Sequence, residues 1–168
     1  MGAIKEFDGL AAFAIHLVEM RIAVRESMHR GLDRALVLLE KDMKGQIGYY
    51  QGAAGEFPAW APLADSTEKE KARLGAPPGA PLLRFGGLYA SFDHASTDDE
   101  GVVGSKDPTM IYHEFGTSKM PPRPVVGPAM VKNREKVEQL LAAAVVEGIL
   151  GGEVVGGGTE YLGGHITR

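Results

Sequence analysis

The feature that most constrains this fold is a long run of apolar residues at helical spacing in the first third of the chain. Between residues 10 and 50, apolar side chains recur at steps of three or four, which is the spacing of one helix face. The members of this stripe are Leu10, Phe13, Leu17, Met20, Val24, Met28, Leu32, Leu36, Leu39, Met43, Ile47 and Tyr50. Unbroken, such a helix would be about 60 Å long at about 1.5 Å per residue, with Gly31 as the expected bend or break. Two interpretations stay open: a long helix that borrows a partner surface, or a hairpin of two core helices.

A second long helix and a small sheet complete the predicted architecture. The helix is predicted over residues 128–150, where apolar residues again recur at helical spacing. Residues 91–97 and 101–105 are the best strand candidates, and the acidic turn 98–100 between them has hairpin length. Two strands alone are marginally stable, so they must pack on the helices or pair with another chain. The predicted fold class is therefore α+β, with two long antiparallel helices packed with a small antiparallel sheet and a loop-rich arm.

The loop-rich arm is predicted over residues 57–81, within a single domain that spans residues 1–150. Asp65 is a candidate helix cap there, with Glu68 at the capping-box position. The short helix that follows is highly charged, which is typical of a solvated face. Four residues of the arm and of the segment after it are predicted to lie in the core: Trp60, Leu63, Leu88 and Phe92.

Composition narrows the class of protein further. A chain of 168 residues is long enough for one domain with a real core, and its 44% hydrophobic content is ordinary for a globular protein. The net charge of -4 gives no global basic signature for nucleic acid, and the absence of cysteine excludes disulfides and thiol chemistry. The first residues lack the basic start and apolar stretch of a signal peptide, and no run is long enough to span a membrane. The expected compartment is the cytosol.

The densest local signals lie in residues 107–130. Asp107 is a good helix cap, and Gly116 offers a left-handed stop to the short helix that follows it. We therefore expect Tyr112 and Phe115 to anchor this helix in the core.

The loop after this helix, residues 117–124, is held extended by three prolines. Because prolines lower the entropy cost of presenting a loop, we expect it to project from the body with Lys119, Arg123 and Pro124 available to a neighbour.

The sequence carries no catalytic, cofactor or metal motif that spacing supports. His113-Glu114 lacks the second histidine of a zincin helix, and a site built from His113, Glu114 and His94 has no support from spacing. Gly104-Ser105 is not followed by the glycine of a nucleophile elbow, and no Walker-type phosphate loop occurs. The predicted catalytic, cofactor-binding and metal-binding residues are therefore none, and the chain is not predicted to be an enzyme.

Several short motifs, in order, resemble those of a phage protein family. They are Trp60-Ala61-Pro62-Leu63, Ser66-Thr67, Pro81-Leu82-Leu83, Gly87-Leu88, Val103-Gly104-Ser105, Tyr112-His113-Glu114-Phe115-Gly116-Thr117, Pro122-Arg123-Pro124 and Pro128-Ala129. Over residues 10–150 the chain resembles the phage virion morphogenesis proteins, which are neck or tail-completion proteins of long-tailed double-stranded DNA phages. One departure is Arg84-Phe85-Gly86, where many relatives have a small polar residue before a single glycine.

This resemblance implies a structural role in the virion. Family members form a ring, expected to be hexameric, that joins the DNA-filled capsid connector to the tail after assembly in the host cytoplasm. Its partners would be head-closure, tail-terminator or tail-tube proteins, with non-specific contact to DNA in the lumen and none to membrane. The expected interface residues are Tyr112, Phe115, Gly116, Lys119, Arg123 and Pro124. The following helix carries the basic residues Lys132, Arg134 and Lys136, which form a weak basic patch that a ring would repeat around its lumen. The alternatives are a tail terminator or head-closure protein, a metal-dependent virion hydrolase, and a free DNA-binding module.

The last segment, residues 151–168, is a glycine-rich tail with short apolar pieces. It holds seven glycines, and its apolar pieces are Val154-Val155, Tyr161-Leu162 and Ile166. Such pieces suit brief extended segments that can add to an exposed sheet edge. We expect the tail to reach a neighbouring subunit or an adjacent ring protein, and the alternative is a tail folded back over its own helices.

Overall fold

The computed structural model describes residues 6–150, which form five helices and two strands. The elements are α1 (Leu10–Gln46), α2 (Asp65–Leu74), α3 (Gly87–Ser91), β1 (Phe92–Ser96), β2 (Gly101–Ser105), α4 (Met110–Phe115) and α5 (Val126–Ile149). The two long helices pack together and the two strands form one antiparallel hairpin. The predicted α+β fold class is confirmed. Across these residues there is no helix whose length and apolarity would let it cross a membrane.

The first helix, α1, runs without interruption for 37 residues, or about 55 Å at about 1.5 Å per residue. The expected break at Gly31 is therefore wrong. Gly31 is buried against α5, where an added Cβ would lie 2.5 Å from the Ala144 Cβ. On α5, Gly148 makes the same kind of contact, since its added Cβ would lie 2.4 Å from the Val24 Cα. The two contacts run in opposite chain directions, so the helices are antiparallel and glycine lets their backbones approach closely.

The hydrophobic core lies around the C-terminal half of α1. Its buried members are Leu39, Met43, Ile47, Trp60, Phe92, Met110, Val125 and Ala129. The predicted burial of Trp60 and Phe92 is confirmed, and Leu88 is partly buried against this cluster. Leu63 is outside the core cluster and only half-buried, which corrects the prediction for that residue. Its backbone N–H donates a hydrogen bond to the Tyr50 hydroxyl at 3.0 Å instead.

The hairpin packs on α1 through its first strand and through a glycine at the start of its second. Phe92 pairs with Ser105 and Ser96 pairs with Gly101, so the predicted strands are correct to within one residue at each end. An added Cβ on Gly101 would lie 2.7 Å from Leu36 Cδ1, which shows how closely the strand approaches the helix. The sheet is therefore supported by α1, as a two-stranded sheet requires.

The arm differs from its prediction at the start of α2. Ala64 occupies the N-cap position and Asp65 is already helical, while the Glu68 carboxylate accepts a hydrogen bond from the Gly79 N–H at 3.2 Å. The predicted capping box is therefore wrong.

Lys71, expected on a solvated face, is buried. Its Nζ donates to the carbonyl oxygens of Ala80 and Leu83, both at 2.6 Å. Desolvation lowers the pKa of Lys71 from its usual value. The side chain fastens α2 to the loop that follows it.

Candidate assembly surfaces

One end of the molecule is a pair of helical tips covered with exposed apolar side chains. Because Gly148 of α5 lies against Val24, the α1 residues before Val24 extend about 20 Å past the end of α5 at about 1.5 Å per residue. We call residues 10–24 of α1, together with residues 146–150 at the end of α5, the projecting end. Leu10 is 87% exposed and Ile15 is 62% exposed. The other exposed large apolar residues here are Phe13, Leu17, Val18, Ile22, Val146, Ile149 and Leu150.

The apolar side chains of the projecting end lie on several sides of α1. Successive residues turn by about 100°, so Ile15, Leu17 and Val18 point in three different directions. Residues 10–24 contain only two charged side chains, Glu19 and Arg21, of opposite sign. A helix that is apolar all round is usually buried, and a contiguous apolar surface of this kind marks an interaction site. Phe7 covers part of the tip by packing against Phe13 and His16.

The short helix α4 presents its aromatic side chains to solvent. Tyr112 is 58% exposed and Phe115 is 79% exposed, so the expectation that they anchor α4 in the core is wrong. Met110 is the buried residue of this helix and belongs to the core cluster. A helix of six residues offers the body only one narrow face, and here that face begins with Met110. Tyr112 and Phe115 are left accessible, and their role at an interface stays a prediction.

The turn into α4 is organised by Asp107, although Thr109 occupies the N-cap position. The Asp107 carboxylate accepts hydrogen bonds from the Thr109 N–H at 2.9 Å and from its hydroxyl at 2.7 Å. These bonds lower the pKa of Asp107, with the Thr109 hydroxyl as the largest cause. Asp107 therefore fixes the turn before the helix instead of capping it.

Glu114 has a role that its position in the sequence does not reveal. Its Oε2 accepts hydrogen bonds from the Val125 and Val126 N–H groups at 2.8 and 3.1 Å, and its Oε1 accepts one from Gly127 at 2.9 Å. These N–H groups start α5 and have no partner within the helix, and a negative charge at this end of a helix is favourable. Glu114 is thus the cap of α5, supplied from a different helix. The only local signal is an acidic residue upstream of a helix start.

Two residues expected at the interface are buried structural groups instead. Arg123 is 5% exposed, and its guanidinium donates to the carbonyl oxygens of Ala61 and Pro62 at 3.0 and 3.1 Å. Pro124 is buried and its carbonyl accepts a hydrogen bond from Trp60 Nε1 at 3.1 Å. The prediction that Arg123 and Pro124 are presented to a neighbour is therefore wrong. They fasten the loop of residues 117–124, which we call the proline loop, to the arm of residues 57–81.

Two other predicted interface residues, Gly116 and Lys119, lie where the sequence predicts them. The helix α4 ends at Phe115, and Gly116 follows with φ 75°, a conformation that favours glycine. An added Cβ on Gly116 would lie 2.9 Å from the Pro122 nitrogen, so space also requires glycine. Lys119 is exposed at the tip of the turn closed by the Thr117–Met120 bridge. The predicted interface residues of the tail lie outside residues 6–150, which the structure describes: Val154, Val155, Tyr161 and Leu162.

A groove of about 850 Å³ separates the proline loop from the arm and from residues 82–88. Its apolar lining includes Leu63, Leu82, Leu83, Leu88 and Met120. Two buried polar atoms of groove-lining residues have no hydrogen-bond partner, namely His113 Nδ1 and Arg123 Nε. Burial lowers the pKa of His113 from its usual value, and the charge of Arg123 lowers it further.

A cluster of titratable groups joins α1 to β1. Within residues 6–150, the one group of three potential metal ligands is Glu40, Asp93 and His94. Glu40 bonds to both Lys44 and His94, and Asp93 pairs with Lys106. The bond from Lys44, and then that from His94, lowers the pKa of Glu40. Both carboxylates therefore already have cationic or imidazole partners.

The metal site weighed at the sequence level, with His113, Glu114 and His94, does not form among the described residues. Glu114 caps α5, and His94 bonds to Glu40.

The basic residues of α5 are interspersed with acids. Lys132 reaches the Gln51 side-chain oxygen at 3.3 Å, and Arg134 pairs with Glu138 at 2.9 Å. Lys136 is exposed on the same helix. Contact with DNA stays a prediction.

Comparisons of this chain with protein families, with curated proteins and with solved structures found no match.

Proposed function

We propose that this chain is a structural subunit of a ring at the junction between the head and the tail of a long-tailed phage. The projecting end is the observation that carries the proposal. A chain that leaves nine large apolar side chains exposed at one end is suited to being covered by other protein. Because these side chains surround the tip of α1, a neighbour on each side covers them better than a single partner does.

The energetics favour association of preformed subunits. Burial of apolar surface contributes about 25 cal/mol per Å², and each projecting residue adds to that total when a neighbour covers it. The opposing cost is the loss of translational and rotational freedom, together with ordering of mobile groups at the interface. The tip of α1 continues a helix whose other half packs in the core, so its backbone is already helical and needs little further ordering on association.

The location within the virion rests on the motif resemblance described above. A ring at the neck needs subunits that contact their own copies laterally and different proteins above and below. The projecting end supplies one surface, and the exposed side chains of Tyr112, Phe115 and Lys119 supply another. By resemblance, the ring is hexameric and contacts head-closure, tail-terminator or tail-tube proteins.

The test is the oligomeric state of the full chain, measured by native mass spectrometry and light scattering and imaged by negative-stain electron microscopy. The parent chain should form closed rings. Substitution of Ile15→Glu with Val18→Glu should give monomers whose helical content by circular dichroism is unchanged.

The matched control is Gln139→Glu with Ala142→Glu, which adds the same charge at the same spacing on the solvent face of α5. It should assemble like the parent. A parent chain that stays monomeric at high concentration, or a projecting-end variant that still forms rings, would overturn the proposal.

A further inference from the structure

The groove between the proline loop and the arm differs in charge from the rest of the chain. Its lining includes four cationic side chains and two carboxylates, an excess of two positive charges, whereas the whole chain has a net charge of -4. The cations are Lys71, Arg84, Lys119 and Arg123, and the carboxylates are Glu70 and Asp107. The groove is therefore suited to a ligand that carries negative charge.

Its buried polar atoms point to an oxygen acceptor. Arg123 is 95% buried, given its 5% exposure, and its Nε–H has no partner although its Nη2 is bonded to the arm. Buried donors in folded proteins almost always have a partner, and a carboxylate is the strongest acceptor for a guanidinium. His113 Nδ1 offers a second unpartnered position in the same lining.

The apolar walls require a ligand with apolar side chains beside its carboxylate. Leu63 and Met120 lie on the two sides of the groove, and Leu82, Leu83 and Leu88 continue its lining. Phe85 also lines the groove and is mostly exposed. An extended peptide with an acidic residue followed by apolar residues has this combination of groups.

The tail of this same chain carries such a sequence twice. Glu153-Val154-Val155-Gly156-Gly157 and Glu160-Tyr161-Leu162-Gly163-Gly164 share one pattern, in which an acid is followed by two apolar residues and two glycines. The glycines that follow each apolar pair have no side chain to clash with the groove walls.

The length of α5 decides which copy can supply the first of these segments. Arg123 lies just before α5, and Leu150 follows the helix at its other end, about 36 Å away at about 1.5 Å per residue. Glu153 is three residues beyond Leu150 and can reach at most about 11 Å from it. The Glu153 carboxylate therefore stops far short of the groove in its own chain and can enter only the groove of another copy.

We propose that the groove binds the Glu153-Val154-Val155 segment from a second copy of this chain. The Glu153 carboxylate lies among the cationic side chains that line the groove, and the two valines lie against the leucine-lined wall. This inference rests on the proposed ring, in which it links each subunit to its neighbour. It replaces the sheet edge, expected from the sequence alone, with a defined groove as the place where the tail docks.

The test is photo-crosslinking in the full chain, with Val155→p-benzoylphenylalanine and an equal mixture of isotopically labelled and unlabelled subunits. The expected products are cross-linked peptides of mixed label that join the tail to Leu63, Leu82 or Met120. The same photoreactive residue at Gln139, on the solvent face of α5, is the control and should give no groove cross-links. Glu153→Gln with Glu160→Gln should lower the yield of groove cross-links at least three-fold.

The possible negative results of this experiment distinguish the groove inference from the ring proposal. Rings with mixed-label cross-links only outside the groove, or with no cross-link to the groove, would overturn this inference and leave the ring proposal intact. Groove cross-links formed only within one chain would also overturn it. A monomeric chain without mixed-label cross-links would overturn both proposals.

Discussion

The two halves of α1 have the same apolar spacing and opposite surroundings. In the C-terminal half, Leu39 and Met43 are buried in one cluster with Phe92 of the hairpin, Met110 of α4 and Ala129 of α5. In the N-terminal half, Leu10 and Ile15 are exposed, because α5 ends at the level of Val24. An apolar stripe thus predicts that a helix face is buried by other protein groups, but it does not predict whether those groups belong to the same chain.

This difference also separates stability from assembly. The buried half should determine the free energy of unfolding of a single chain, and the exposed half should determine association between chains. Substitutions that affect one property and leave the other unchanged are therefore the most direct measurements of this division.

The largest expected effect is that of Met43→Ala in the buried half. Truncation of a fully buried large side chain typically costs about 2–5 kcal/mol, because the cavity is only partly refilled. Ile15→Ala is the matched change in the exposed half and should cost less than about 0.5 kcal/mol in dilute solution while weakening assembly. Urea unfolding of both variants at low protein concentration measures the difference. Equal losses would mean that the two halves do not differ as described.

The next effect concerns the cap that joins α4 to α5. Glu114→Ala leaves three N–H groups at the start of α5 without their acceptor and should cost about 2 kcal/mol. Glu135→Ala, at an exposed position on the same helix, is the control and should have little effect. Thermal unfolding followed by circular dichroism is the measurement. If Glu114→Ala melts with the control, the cap does not contribute as we infer.

A smaller effect is expected where the two halves of α1 meet. Gly148→Ala would place a methyl group 2.4 Å from the Val24 backbone, so the helices must separate at a net cost of about 1–2 kcal/mol. Gly45→Ala, with no atom near its added Cβ, should instead stabilise α1 by up to about 1 kcal/mol. Denaturant unfolding of both variants measures whether each substitution raises or lowers the free energy of unfolding. A stabilised Gly148→Ala would show that the close helix contact is absent in solution.

A still smaller effect is expected in the pH dependence of the free energy of unfolding, to which the half-buried His113 contributes. Burial lowers the pKa of His113 in the folded chain below its ordinary value of about 6.5. Above that value both states are neutral, and below it the unfolded chain binds the proton first, so stability falls as pH falls. His113→Gln should flatten this slope between about pH 7.5 and 5.5 in denaturant unfolding. An unchanged slope would assign the pH dependence to other groups.

The smallest effect is expected at Phe115. Because this side chain is 79% exposed, Phe115→Ala should change the free energy of unfolding by less than about 0.5 kcal/mol. Met110→Ala on the same helix should cost several times more, since Met110 belongs to the core. Parallel thermal melts compare the two. A large loss for Phe115→Ala would place that ring against the body.

The parts of the fold that sequence predicts well are those encoded by near neighbours. The strands of the hairpin were located to within one residue, because an acidic turn separates two short runs of strand-forming residues. The second long helix was predicted over residues 128–150 and starts two residues earlier. The burial of Trp60 and Phe92 also followed from residue type and position.

The parts that sequence missed depend on partners far along the chain. Arg123 meets Ala61 across 62 residues, and Trp60 meets Pro124 across 64 residues. Glu114 reaches the start of α5 from a separate helix, so no capping pattern marks it. For Arg123 and Pro124, exposure was inferred from the local sequence alone, and hydrogen bonds to partners far along the chain bury them instead.

The unbroken course of α1 has a consequence for how its exposed half behaves before any partner arrives. A helix of about 15 residues is marginal in water by itself, because the first turn is costly to nucleate. The exposed turns avoid that cost, since they extend a helix already nucleated in the body. They should fray from Leu10, with amide hydrogen exchange that slows steadily toward Gly31, and subunit association should remove this gradient.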